Sequence, residues 1–326
     1  MRQVEDNKIK VAIKRVQTEK VEEDVEQEQG NLERHQSFNH HHLIQHHATC
    51  TIGGYYYVIF PWADGGNLWQ YWENERSDNS STSWVFSQIL GLAGALAAMH
   101  AVNCRHGDLK PENILRFNAA NDAILVIEDV GISRFHKQET FQRKDKTTTS
   151  ATTPSYQAPE VHFHPRARRS RVYDIWSLGC IFLEFAIWHL WDFDAVMAFQ
   201  SARQFDTYNR YFYKPMDDGR IIIHPMVTEA ISSLQKDPRC DSGTPFGSLI
   251  TLIADDLLQL KDTQRAPANK VVTKLQDIVS RLEGDQYAMK GRAYIPRPPI
   301  FQLESKQPSN HGPKDSVMGT DSMGRY

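Results

Sequence analysis

Three polar side chains of complementary chemistry lie close together in one short stretch of the chain. Between Arg105 and Leu115 the sequence reads R-H-G-D-L-K-P-E-N-I-L, which places Asp108, Lys110 and Asn113 in a single loop. Phosphoryl transfer depends mainly on positioning and on charge neutralisation, and such a set can supply both. A carboxylate can accept the proton of an attacking hydroxyl, a lysine can contact the transferred phosphate, and an amide oxygen can bind Mg²⁺. A solvated charged turn is the alternative interpretation.

Length and composition limit the classes of protein to which this chain can belong. The 326 residues are 40% hydrophobic and 24% charged, with a formal net charge of -3, so a nucleic-acid partner is not expected. That length suits one large domain, or two lobes with a tail. The most apolar run, residues 175–191, is interrupted by Ser177, Glu184 and His189. It predicts a buried helix rather than a membrane span.

The cysteines and the first residues bear on cellular location. The four cysteines are far apart and form no C-x-x-C pair, so neither a disulfide framework nor a zinc site is expected. The start, M-R-Q-V-E-D-N-K, has no apolar core for a signal peptide. We therefore expect a cytoplasmic protein. The nucleus is the alternative, because R-A-R-R-S-R at residues 166–171 could be a nuclear signal as well as an exposed loop.

The stretch around Asp108 resembles the catalytic loop of protein kinases, H-R-D-x-K-x-x-N, with Gly107 in place of the arginine. Its K-P-E-N part resembles the serine/threonine branch of that family. The resemblance implies that Asp108 is the catalytic base, Lys110 the phosphate contact and Asn113 a Mg²⁺ ligand. Downstream, A-I-L-V-I-E predicts a buried strand that ends at Asp129. Here the family has D-F-G and this chain has D-V-G, which implies that Asp129 is the second Mg²⁺ ligand.

Elements before the loop resemble the nucleotide-binding lobe of the same family. Residues 8–16 alternate enough to form a strand and contain V-A-I-K, which is similar to the strand whose lysine contacts the phosphates of ATP. The resemblance makes Lys14 that lysine and places Ala12 against the adenine. It also implies that Glu28, in an acidic stretch that we expect to be helical, pairs with Lys14. Glu26 is the alternative partner.

A second strand signal, Y-Y-Y-V-I-F at residues 55–60, runs into a Gly-Gly turn and then Asn67, which is a favourable helix N-cap. This arrangement resembles the hinge between the two kinase lobes. It implies that the backbone of Trp62 and Ala63 binds the adenine and that Leu115 lies beneath it. A run of histidines between residues 35 and 47 could bind a metal. Because no acid or cysteine is interleaved at ligand spacing, we interpret that run as a turn.

The second half of the chain continues the resemblance. Helical spacing over residues 83–102 predicts the helix that leads to the catalytic loop. The Ser/Thr-rich stretch before T-P-S-Y-Q-A-P-E is similar to an activation segment that ends at Glu160. The string V-Y-D-I-W-S-L-G resembles the central kinase helix, whose leading acid, here Asp174, braces the catalytic loop. Arg265 matches the arginine that pairs with Glu160 in the family.

These features predict an α+β, bilobal protein-kinase-like fold with a small truncated β lobe and a larger, mainly helical lobe. We expect the domain over residues 1–283, divided at residues 64 and 65, and a disordered tail over residues 284–326. Residues 1–13 contain no glycine, so the family's Gly-rich loop is not expected. The expected function is transfer of the γ-phosphate of Mg-ATP to a serine or threonine of a protein substrate, without nucleic acid or membrane. A catalytically silent binding or scaffold module is the alternative.

Overall fold

The computed structural model describes residues 9–16, 40–118, 123–128, 154–163, 170–204, 210–282 and 296–303. Three of the features expected from the sequence lie outside these ranges. They are the acid Glu28, the metal ligand Asp129 and the Ser/Thr-rich stretch that ends at Thr153.

A three-stranded antiparallel sheet forms the small lobe. Its strands are β1 (Val11–Val16), β2 (Ala48–Ile52) and β3 (Tyr55–Pro61), in the order β1-β3-β2. Lys14 lies opposite Val58, and Ala12 lies opposite Phe60. Along β1, Ala12 and Lys14 are partly buried while residues 11, 13 and 15 are exposed. This period-two alternation turns the two predicted site residues to the inner face of the sheet.

A second hairpin follows the catalytic loop directly. It pairs β4 (Ile114–Asn118) with β5 (Ala123–Ile127) in antiparallel register. Isolated bridges join it to the segments on either side of β2 and β3, since Leu43 pairs with Ile127 and Asn67 with Leu115. The loop of Asp108 is therefore followed by a hairpin that is bridged to the segment before β2 and to the segment after β3.

The large lobe is mainly helical. Its helices are α1 (Leu68–Asn74), α2 (Thr82–Ala101), α3 (Glu160–Phe163), α4 (Val172–Leu190), α5 (Phe193–Ala202), α6 (Pro225–Gln235), α7 (Pro245–Leu252) and α8 (Ala268–Leu282). A short hairpin of β6 (Tyr213–Pro215) and β7 (Ile221–Ile223) lies between α5 and α6. In α4 every residue after the first is buried, so this helix forms the centre of the lobe.

The helix α2 confirms the predicted helix over residues 83–102, with a start at Thr82. Ser81 caps it by accepting a hydrogen bond from the backbone N–H of Trp84. By length and composition it is the one helix in the described ranges that could cross a membrane, and 56% of its apolar window is buried inside the fold. Since α2 packs against α8, α4 and β5, the core accounts for its apolar character.

Other predicted elements that fall within the described ranges are also present. Asn67 caps α1 in a capping box, in which it exchanges hydrogen bonds with Gln70. The buried apolar run at residues 175–191 is α4, and the strand expected before Asp129 is β5. The prediction of a disordered tail is wrong for residues 296–303, because Phe301 is fully buried against the helical lobe. The rest of that predicted tail lies outside the described residues.

Candidate active site

The catalytic loop is held by one carboxylate from the central helix. Asp174, which is fully buried, accepts hydrogen bonds from the backbone N–H of His106 at 2.9 Å and of Gly107 at 2.8 Å. Its Oδ2 also lies 3.1 Å from Nε2 of His100 on α2. Because a buried carboxylate needs such partners, the loop, α2 and α4 are fixed to one another. The bracing role that the resemblance gave to Asp174 is confirmed.

Gly107 takes a backbone conformation that suits glycine. Its φ is +81°, and a Cβ at this position would lie 3.2 Å from Nε of Arg105. Residues with a side chain rarely adopt such a φ, because the Cβ approaches the backbone. The glycine that replaces the family arginine is therefore matched to the local path of the chain.

His106 connects Asp108 to the end of β5. Its Nδ1 accepts the backbone N–H of Asp108 at 3.2 Å, and its Nε2 lies 2.7 Å from the carbonyl of Glu128. An Nδ1 that accepts leaves the ring proton on Nε2, which therefore donates to Glu128. The ring positions Asp108 and the residue that precedes Asp129 at the same time.

The three side chains expected to act on phosphate converge. Nδ2 of Asn113 donates to the carbonyl of Asp108 at 2.8 Å and lies 3.4 Å from Asp108 Oδ2. Nζ of Lys110 lies 3.5 Å from the same Oδ2. The side chain of Asp108 is 48% exposed, whereas that of Lys110 is 11% exposed. The carboxylate is thus open to an approaching hydroxyl, and its cation is held beneath the surface.

A cavity of about 350 Å³ lies beside this loop, between the sheet and the hairpin β4–β5. Its lining includes every described residue that the sequence assigned to nucleotide binding, namely Ala12, Lys14, Trp62, Ala63 and Leu115. The catalytic loop residues Asp108, Lys110 and Asn113 are not part of the lining. The structure therefore shows a concave site and an adjoining loop, as two parts of one region.

Sequence reasoning missed two acids on the cavity wall, Glu112 and Glu128. Glu112 is exposed at the rim, yet loss of hydration by the surrounding protein raises the pKa of its carboxyl. The backbone N–H of Glu128 donates to the carbonyl of Asn113 at 2.9 Å. The only sequence signal for either was its position next to a predicted metal ligand.

The predicted ion pair between Glu160 and Arg265 is confirmed. Two guanidinium nitrogens of Arg265 donate to the two carboxylate oxygens of Glu160, at 2.8 and 2.7 Å. The side chain of Arg265 is fully buried, and its guanidinium lies 5.2 Å from the Trp176 ring. This bidentate pair ties the start of α3 to the segment before α8.

A second buried network near Tyr156 was not predicted. The Tyr156 hydroxyl donates to Glu184 Oε2 at 2.6 Å, and Arg203 Nη2 lies 2.7 Å from Glu184 Oε1. Ser177 donates to the Tyr156 carbonyl at 2.8 Å. Burial, followed by the nearby Glu184 charge, raises the pKa of the Tyr156 hydroxyl well above its ordinary value. Glu184 was visible in the sequence only as an interruption of an apolar run.

Two histidines of the run between residues 35 and 47 pack on α2. The ring of His42 fills the space beside Gly91, where a Cβ would lie 2.0 Å from its Nε2, and its Nδ1 donates to the carbonyl of Leu125 at 2.6 Å. His40 lies similarly against Gly94. Burial lowers the pKa of both rings. Within the described ranges, no three acid, cysteine or histidine side chains come together as a metal site.

The small sheet, the helical lobe and the loop of Asp108 together define the class of protein to which this chain belongs. The chain matches the family described as protein kinase domain over residues 1–274, so it belongs to the protein kinase family.

Among curated proteins it is similar to several serine/threonine kinases. Serine/threonine-protein kinase chk-2 of Caenorhabditis elegans is 27% identical over 158 residues, which are 47% of this chain and 31% of that protein. MAP kinase-activated protein kinase 2 of Cricetulus longicaudatus is 35% identical over 125 residues, 38% of this chain and 36% of that protein. Serine/threonine-protein kinase KIN4 of Saccharomyces cerevisiae is 28% identical over 191 residues, 56% of this chain and 22% of that protein. The aligned part of the chain thus spans roughly a third or less of each relative's length.

Proposed function

We propose that this chain is an ATP-dependent protein serine/threonine kinase, which transfers the γ-phosphate of Mg-ATP to a protein hydroxyl. The observation that carries the proposal is the exposed Asp108 carboxylate, held on a braced loop with Lys110 Nζ 3.5 Å away and the cavity of Lys14 beside it. Membership of the family and the serine/threonine relatives support the same reaction. A protein substrate and a cytoplasmic location belong to the proposal.

The geometry of Asp108 suits a base for the substrate hydroxyl. Oδ2 faces Lys110 and Asn113, so Oδ1 is the atom we assign to accept the proton. The hydrogen bonds of His106 and Asp174 fix the loop backbone, which orients that oxygen before substrate arrives. Lys110 then neutralises the charge on the phosphoryl group while that group passes from the leaving oxygen of ATP to the oxygen of the substrate hydroxyl.

The donor set next to Asp108 fits a magnesium ion. Nδ2 of Asn113 is used for Asp108, which leaves the amide oxygen Oδ1 for a cation. Asp129 follows Glu128, whose backbone is hydrogen-bonded to Asn113 and His106. Oxygen ligands of this kind are the ones that Mg²⁺ prefers, and a bound ion would neutralise the phosphate oxygens.

The cavity suits the nucleotide. At about 350 Å³ it lies in the lower part of the usual range for ligand pockets, roughly 300–1,000 Å³. We assign the phosphates to Lys14, with Glu28 as its partner, and the adenine to Ala12 and Leu115. The backbone of Trp62 and Ala63 supplies the polar contacts to the adenine edge.

Replacement of Asp108 by Asn tests this function. The variant is expected to keep the fold and nucleotide binding and to lose about 10²–10⁴-fold in phosphate transfer, because the amide cannot accept the proton. Transfer of labelled phosphate to a generic protein substrate measures this. Asp218→Asn, an exposed acid in the β6–β7 turn, serves as the control and should transfer like wild type. Equal transfer by wild type and Asp108→Asn would rule out Asp108 as the base. If neither transfers phosphate, the chain is a catalytically silent binding module instead.

A further inference from the structure

The described residues 296–303, which we call the C-terminal strap, lie on the helical lobe against α5 and α6. Its own hydrogen bonds give it a fixed shape. The backbone N–H of Phe301 donates to the carbonyl of Pro298 at 2.9 Å, and Nε2 of Gln302 donates to the carbonyl of Arg297 at 2.5 Å. Two consecutive prolines begin this turn, and they restrict the unbound chain as well. Such a segment loses little conformational freedom when it binds.

Phe301 is the anchor of the strap. It is fully buried, with its ring centroid 4.6 Å from that of Trp191 and 6.2 Å from that of Phe199. The guanidinium of Arg239 lies 5.2 Å from the same Trp191 ring, which holds the tryptophan in place. A fully buried side chain near the centre of an interface is the kind of contact that dominates binding.

A charge pair fixes the other end of the strap. Arg297 donates to Oδ2 of Asp192, a residue whose Oδ1 accepts the backbone N–H of Ala195 and so caps α5. The carboxylate lies at the start of a helix and is 43% exposed, and Arg297 is 28% exposed. The pair therefore sets direction and register, while Phe301 supplies most of the burial.

From these contacts we propose that Trp191, Asp192 and Phe199 form a docking groove for a peptide of the type Arg-Pro-Pro-x-Phe. The occupant is the strap of this same chain. Residues 283–295 separate the strap from the end of α8 in the sequence, and the contacts given above lie within the strap and the groove, so we treat the strap as a short linear motif. A peptide of the same sequence, supplied separately, should compete for the groove.

The groove is connected to the segment before Glu160. The Phe199 ring contacts the Phe301 ring on one side. On the other side, the guanidinium carbon of Arg203 lies 4.0 Å from the centroid of the Phe199 ring. Arg203 in turn pairs with Glu184, which accepts the Tyr156 hydroxyl. Occupation of the groove should therefore order Tyr156 and its neighbours.

The test uses the full chain with Phe301→Ala, which removes the anchor, and a fluorescein-labelled peptide of residues 296–303. Fluorescence anisotropy is expected to show saturable binding to this variant. Binding to the wild-type chain should be at least about tenfold weaker, because its own strap competes at high effective concentration. A peptide with Phe301→Ala should also bind at least about tenfold more weakly. A peptide with Arg297→Ala should bind about two- to fivefold more weakly, because its ion pair is partly exposed. A peptide with Leu303→Ala, a change at an exposed strap position, is the matched control and should bind as tightly as the unchanged peptide.

A second measurement does not depend on how well the Phe301→Ala chain folds. A protease recognition sequence is inserted within residues 283–295 of the otherwise wild-type chain, which is cut after folding. The cut fragment should stay bound through gel filtration and be displaced by excess synthetic peptide. Loss of the fragment on cutting, or failure of the peptide to displace it, would overturn the docking groove.

Hydrogen exchange at the amides of residues 155–158 tests the connection to Tyr156. Exchange should be about tenfold faster in the Phe301→Ala chain and should return toward the wild-type rate when the peptide is added. Unchanged exchange in that variant would contradict the connection. Neither readout requires phosphate transfer, so the result is independent of the proposed kinase activity.

Discussion

At the scale of single residues, Gly107 shows how the backbone path limits which side chain can precede Asp108. Gly107→Ala is expected to lower the free energy of unfolding by about 1–2 kcal/mol, because alanine resists a φ of +81° and would crowd Arg105. Urea denaturation measures the loss. Gly219→Ala is the matched control, since Gly219 has the same φ of +81° but no atom within 4 Å of the place that a Cβ would take. Equal losses in the two variants would show that crowding near Asp108 contributes nothing.

His224 gives the stability of the chain a pH dependence. Burial, followed by the charges of Arg203 and Lys214, lowers the pKa of His224 to about 4 from 6.5. The unfolded chain therefore binds the proton more tightly than the folded chain. The stabilisation from the neutral ring is fully present above about pH 6.5 and is lost as the pH falls toward 4, up to about 3 kcal/mol.

His224→Asn should remove this pH dependence. It should also keep the cap of α6, because His224 Nδ1 accepts the N–H of Met226 in the wild-type chain and asparagine is a favourable N-cap. The difference in unfolding free energy between wild type and variant, measured by urea denaturation from pH 7.5 to 4.5, should change in favour of the variant as the pH falls. A difference that stays constant with pH would contradict the assignment to His224.

Residue types and spacing predicted Asp108, Lys110 and Asn113 as site residues, and the structure brings the three side chains together in one loop. The predicted residues Lys14 and Ala12 both line the cavity beside that loop. Sequence reasoning missed Glu112 and Glu128, since a carboxylate on a cavity wall has no spacing rule of its own. Such residues become visible only when the walls are assembled from separate strands.

At the scale of elements, the pair of Glu160 and Arg265 joins α3 to the chain before α8. Glu160→Gln should destabilise the protein by about 3 kcal/mol, because it leaves a buried guanidinium without its carboxylate. Asp277→Asn breaks the pair with Arg281, which has the same 2.7 Å separation but is exposed on α8. That control should change the unfolding free energy by less than about 1 kcal/mol. The role of burial would be contradicted if Glu160→Gln and Asp277→Asn lowered the free energy of unfolding by similar amounts, measured by thermal and by urea unfolding.

Sequence patterns predicted the helices α2 and α4 and the strands β1, β3 and β5, because burial of one face or of all faces leaves a strong pattern. The strand β2 was not predicted. Its exposure is nearly uniform, with only Cys50 partly buried, so the sequence carries no alternation. The strands β6 and β7 are three residues each and were also too short to identify.

At the scale of the whole molecule, nucleotide binding should stabilise both lobes together, because the cavity is lined from each. Mg-ATP is expected to raise the midpoint of thermal unfolding of wild type, with a gain of about 2.7 kcal/mol at 100 times the Kd. Lys14→Ala should reduce this shift strongly, since the phosphates lose their cation. Lys10→Ala, an exposed lysine just before β1, should leave it unchanged. Equal shifts in the two variants would contradict the role of Lys14.

The overall α+β architecture could be predicted because several motifs occur in a fixed order. The binding of residues 296–303 could not, since Pro-rich composition without periodicity is typical of a disordered tail. What reverses that expectation is a pocket made by Trp191 and Phe199, and these are distant from the strap in the sequence.

The bracing of the catalytic loop by Asp174 also has a consequence for the synthesis of this protein on the ribosome. The amides of His106 and Gly107 emerge long before the carboxylate that accepts them. A nascent chain that has reached only β5 already carries Asp108, Lys110 and Asn113, yet it lacks α4, whose burial organises the lobe. We expect the site to assemble late in translation, so that the loop of Asp108 is held in place only after the central helix has left the exit tunnel.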